Sequence, residues 1–151
     1  MPDLITHISV ASILFRVSRA SSHLVLFLLG TTLPDLLTRT FYILFPVTKW
    51  LLTPFHTPIG FTLVSLLAAL FFAREIRAGV FFTLLAGGGL HMFLDAFQVG
   101  VGGVSYLWAF PFHEWSETFG FIGPEDSLYA APFLLCAAIA LEIAARQRAA
   151  K

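Results

Sequence analysis

Charge is scarce in this chain. Its 151 residues include 9 Lys or Arg and 9 Asp or Glu, 12% in all, where a soluble domain carries about a quarter. So few charges cannot keep in water a chain that is 58% hydrophobic and holds 17 Phe. The two signs balance to a formal net charge of +0, so no basic face points to a nucleic-acid partner. One cysteine, Cys136, excludes an internal disulfide, and its apolar neighbours mark it as a small packing residue. The N-terminal residues lack a basic region, and no small-residue cleavage site clearly follows the first apolar run, so they do not read as a removable signal peptide. Internal repeats and low-complexity linkers are also missing, which favours a single domain over residues 1–151.

Apolar sequence is what the chain has in abundance. A mean hydropathy of +0.84 predicts an integral membrane domain whose surplus apolar surface is covered by lipid. The expected fold is all-α, a polytopic membrane helical bundle of about five membrane helices, some short or broken. The apolar stretches are residues 4–15, 24–33 with a continuation at 36–45, 59–73, 79–97 and 128–145. A bilayer core needs about 20 helical residues, so the first two fall short and are expected to be tilted, interfacial or half-spanning. Pro34 predicts a kink or break in the second, with Asp35 available to cap the segment that follows. The connection at 99–127 contains Glu114, Glu117, Glu125 and Asp126 but no Lys or Arg, and Tyr106, Trp108 and Trp115 suit the headgroup level.

Basic residues orient such a bundle. Arg16, Arg19, Arg74, Arg77, Arg146, Arg148 and Lys151 fall on one side if five passages are made. The positive-inside rule then predicts the N-terminus outside and the C-terminus inside.

Within the fourth apolar stretch stands Gly87-Gly88-Gly89-Leu90-His91-Met92-Phe93-Leu94-Asp95. Residues four apart share a helix face, so His91 and Asp95 can meet at one point as a nitrogen and a hard oxygen suited to a divalent metal. The glycines let a neighbouring backbone come close. Ionisable groups inside a membrane are costly and usually functional; the plainer alternative is a His–Asp hydrogen bond that pins helices. The predicted topology puts His7, Asp35 and His56 at the same level, giving five candidate metal ligands: His7, Asp35, His56, His91 and Asp95. Each has an ordinary alternative: a headgroup-level residue for His7, a helix cap for Asp35, a loop residue for His56. His113 and Glu117 repeat the four-residue spacing in an acidic loop, where a solvated face is the default. His23 reads as an interface histidine, and Glu142 as an i+4 partner of Arg146.

Taken in order, Thr6-His7, Leu33-Pro34-Asp35, Phe55-His56-Thr57, Gly89-Leu90-His91 with Asp95, then Gly100-Val101, Leu107-Trp108 and Pro111-Phe112 resemble the small bacterial inner-membrane metal-dependent hydrolases, a family that includes a LexA-regulated member. Two departures stand out: no acidic residue soon follows Asp35, and a second histidine and an arginine are missing beside His56. The ligand order is also similar, by analogy, to that of zinc-dependent phospholipase C and the P1-type nucleases. The resemblance implies an inner-membrane protein with a divalent metal, zinc first among them. It further implies hydrolysis of a phosphoester or lipid-like substrate from the outer leaflet, with Asp35 and Asp95 as catalytic carboxylates. Two other functions fit the residues: a non-enzymatic metal-binding or structural membrane protein, and a small transport subunit. A transport path needs polar residues through both leaflets, and residues 63–73 and 137–143 offer almost none.

Overall fold

The computed structural model describes residues 4–18, 23–48, 53–98 and 121–149. Five α-helices make up nearly all of them: α1 (Leu4–Val17), α2 (Leu24–Leu44), α3 (Pro58–Leu70), α4 (Arg77–Ala96) and α5 (Pro124–Ala149). Two short 3₁₀ turns, Pro46–Thr48 and Thr53–His56, stand between α2 and α3. Together they form the expected all-helical bundle.

Local chemistry explains several boundaries. Thr57 is extended, its hydroxyl accepts from Gly60 N at 3.2 Å, and Pro58 occupies the first helical position of α3, where its missing N–H costs nothing. The same hydroxyl donates to Pro54 O at 2.7 Å, tying the helix start to the 3₁₀ turn that carries His56. Pro124 likewise opens α5, with Glu125 and Asp126 in its first turn, so that helix begins earlier than its apolar run at 128 predicts.

At Pro34 the expected break does not occur. α2 runs through the proline from Leu24 to Leu44, and Asp35 is therefore a mid-helix residue and not a cap. Proline removes a single intrahelical donor, the one that would reach Gly30 O. Membrane helices tolerate that loss because hydroxyl side chains and neighbouring helices re-satisfy the backbone. Thr31, Thr32 and Thr38 bond back to the carbonyls of Phe27, Leu29 and Pro34 at 3.0, 3.1 and 2.8 Å.

α4 is the centre of the bundle. It packs along α2 and, on another face, along α3, while α1 packs on α2 and carries α5. The α2–α4 contact is backbone to backbone. A side chain at Gly30 would run into the main chain of Leu84, and one at Gly87 into Phe27 O and Thr31 N. Gly88 makes room for the ring of Phe61 in the same way, whereas Gly89 faces open space. Of the three glycines, Gly87 admits a neighbouring backbone as the motif predicts, and Gly88 admits a ring instead.

The distribution of polarity is inside out. Phe71, Phe133, Val25 and Phe82 are exposed, while His7, Ser9, Thr31, Ser65, His91 and Asp95 are buried. α2, α4 and α5 are long and apolar enough to cross a membrane. α1 with 14 residues and α3 with 13 reach only about 20 Å against a core of about 30 Å.

Candidate metal centre

Four separate segments deliver the polar cluster. His7 lies on the second turn of α1, Asp35 one residue past the α2 proline, His56 at the end of its 3₁₀ turn, and His91 and Asp95 one turn apart on α4. α1 runs antiparallel to α2, so Phe15 meets Phe27 near their connection and His7 arrives at the far level, where Asp35 stands. α3 runs antiparallel to α4 and begins beside His56, which brings that imidazole to Asp95. All five predicted ligands thus meet at one end of the bundle, and none is more than 6% exposed.

Asp95 is the hub. His7 Nε2 lies 3.3 Å from its Oδ1, while His56 Nε2 and His91 Nε2 lie 3.0 and 3.3 Å from its Oδ2. The Nε2 atoms of His56 and His91 are 3.1 Å apart, and the His7 and His91 rings sit 4.4 Å apart between centroids. Asp35 Oδ1 stands 3.7 Å from His91 Nε2 and is held by Arg39 Nε at 2.7 Å.

Do these residues fit a metal? Ligand atoms on a tetrahedral ion with bonds of about 2.1 Å stand about 3.4 Å apart, close to the spacings around Asp95. Two sets, His7–His91–Asp95 and Asp35–His56–His91, each offer ligand atoms within 4.8 Å of one another. Asp95 Oδ1 is wholly buried with His7 Nε2 at 3.3 Å as its neighbour, a setting in which an ionised oxygen gains from a cation. Two carboxylates against one guanidinium also leave excess negative charge in a buried space, which a divalent ion would offset. The nitrogen and oxygen donors suit zinc and similar borderline metals. This cluster can hold a metal ion.

Sequence reasoning passed over two residues here. It gives Thr38 and Arg39 no place in the site, yet they lie three and four residues after Asp35. Once α2 continues through Pro34, that spacing puts both on the Asp35 side, where Thr38 Oγ1 lies 3.3 Å from His56 Nδ1. The expected break hid the signal.

Other candidates lie elsewhere. His23 starts α2 in the left-handed region, with φ 76°, and lines an apolar groove of about 530 Å³ with Phe15, Phe27 and Phe82, at the opposite end from the cluster. Glu142 pairs with Arg146 as predicted, at 2.9 Å, and also with Arg16 of α1 at 2.6 Å. His113 and Glu117 fall outside the described residues. Compared with family models, curated proteins and solved structures, the chain matches none.

Proposed function

We propose that this chain is a membrane-embedded metal-dependent hydrolase acting on a phosphoester or lipid-like substrate. The supporting observation is the convergence of three imidazole Nε2 atoms on the two oxygens of Asp95 in a fully buried setting. His7, His56, His91 and Asp95 would hold a divalent ion, zinc by donor type, with Asp35 completing the set. An ion there would supply Lewis acidity toward water and toward a phosphoryl oxygen. Asp35, held by Arg39, would serve as the carboxylate that accepts a proton from water. What little exposure the cluster has belongs to Asp35 and His56, so substrate would approach from their side. The distribution of basic residues supports an N-terminus outside and a C-terminus inside, and the resemblance supports a bacterial inner membrane. The site then opens toward the outer leaflet, where membrane lipid is the nearest source of phosphoester.

A structural role for the same cluster is the second reading, favoured by the hydrogen-bonded run Thr38–His56–Asp95. Metal content decides between them. Purified parent protein in lipid nanodiscs is expected to carry bound zinc and to hydrolyse a short-chain phospholipid when zinc is supplied, whereas Asp95→Ala should lose both. A metal-free, inactive parent under zinc-replete conditions would sink the hydrolase reading.

A further inference from the structure

We infer that Thr38 is a positioning residue for this centre: its hydroxyl fixes His56 in the tautomer that turns an unprotonated Nε2 toward Asp95 and His91. The inference rests on the metal-binding reading above and adds a residue to it.

Hydrogen-bond accounting carries the step. Thr38 Oγ1 lies 2.8 Å from Pro34 O and 3.3 Å from His56 Nδ1. A hydroxyl has one proton, and a carbonyl oxygen can only accept. Thr38 therefore donates to Pro34 O and accepts from His56, whose Nδ1 must carry the proton. Asp35 Oδ1 does not compete for it, being 4.0 Å from that nitrogen and bound to Arg39. Thr38 and His56 are both buried, which keeps bulk water from substituting for the hydroxyl.

With the proton held on Nδ1, Nε2 is the nitrogen whose lone pair a neutral His56 can offer to a cation. It faces Asp95 Oδ2 at 3.0 Å and His91 Nε2 at 3.1 Å. A bare nitrogen and a carboxylate oxygen at that separation repel unless a cation lies between them. The opposite tautomer would donate Nε2–H to Asp95 and satisfy the cluster with no ion at all. Thr38 thus disfavours the neutral tautomer that closes on Asp95 and turns Nε2 toward the cluster as the nitrogen for a cation. Groups that orient a metal-binding histidine through its other nitrogen act in this way.

Zinc affinity, measured against a chelating indicator, tests the assignment on the full chain in nanodiscs. Thr38→Val keeps the shape and removes the acceptor; its affinity is expected to fall about 10–100-fold, with melting in chelator unchanged. Thr38→Ser should recover most of the loss, which a packing role would not explain. Nitrogen-15 spectra of the zinc-loaded parent should show His56 protonated at Nδ1, a readout that survives even if Thr38→Val fails to fold. Parental affinity in Thr38→Val, no recovery in Thr38→Ser, or a proton on His56 Nε2 would each overturn the inference. A parent that takes up no zinc would remove the proposed function and this inference together. A zinc-binding parent matched by Thr38→Val would remove this inference alone.

Discussion

Near its start, the buried face of α4 meets Ala69 of α3 through Val80 and Leu84, with Leu26 and Phe81 packed around them. Two turns beyond Leu84, the same face carries His91 and Asp95 into a cluster of imidazoles and carboxylates. The geometry of the stripe is continuous, since Val80, Leu84, Gly87, His91 and Asp95 follow one another at spacings of three and four. Only the chemistry changes. Between lipid-facing helices the apolar end gains from close fit and dispersion, because lipid is as apolar as leucine. The polar end must instead satisfy every buried donor, acceptor and charge, by hydrogen bonds or by a cation. Gly30 and Gly87 lie between the two ends and set the helix separation for both.

Substitutions can separate these contributions. Gly87→Leu should have the largest effect, because backbone atoms of Phe27 and Thr31 stand in its way. A loss of about 3 kcal/mol, the upper end of the usual overpacking cost, is expected, with zinc binding lost as α2 and α4 part. Melting in a mild detergent would reveal it, and a parental melting curve would show that the glycine contact is not what holds both ends. Leu84→Ala acts on the apolar end alone. It should cost about 2–3 kcal/mol while zinc affinity in the folded fraction stays at the parental value; a matching drop in affinity would mean the two ends are not separable. Asp95→Asn acts on the polar end alone. In chelator it should change stability by less than about 1 kcal/mol, since the amide keeps volume and can hydrogen-bond, yet zinc binding should fail for want of a carboxylate. If the carboxylate instead serves as structural glue, the loss in chelator should reach about 1.5–3 kcal/mol.

Much of this site was legible because an ionisable residue in an apolar helix is conspicuous. His91 and Asp95 stood out by spacing, and His7, Asp35 and His56 by a common level once the basic residues had oriented the passages. The helices themselves followed from apolar runs. What stayed hidden depended on packing. α2 runs through Pro34 with α4 pressed against Gly30 one turn before it, a tertiary contact that a local rule about proline does not contain. With that break expected, Thr38 and Arg39 had no reason to belong to the site. The reach of Arg16 to Glu142 could not be read either, since a pairing across 126 positions leaves no periodicity.

That last ion pair bears on the order in which the protein can be completed. α1 emerges first during synthesis, yet its packing partner α5 and the carboxylate that meets Arg16 are made last. Until Glu142 arrives, a half-buried guanidinium at the end of α1 lacks this counterion, and α1 has only α2 and a small part of α4 to rest on. His7 rides on that same helix. The polar cluster therefore leans on α5 through α1, from the far end of the sequence.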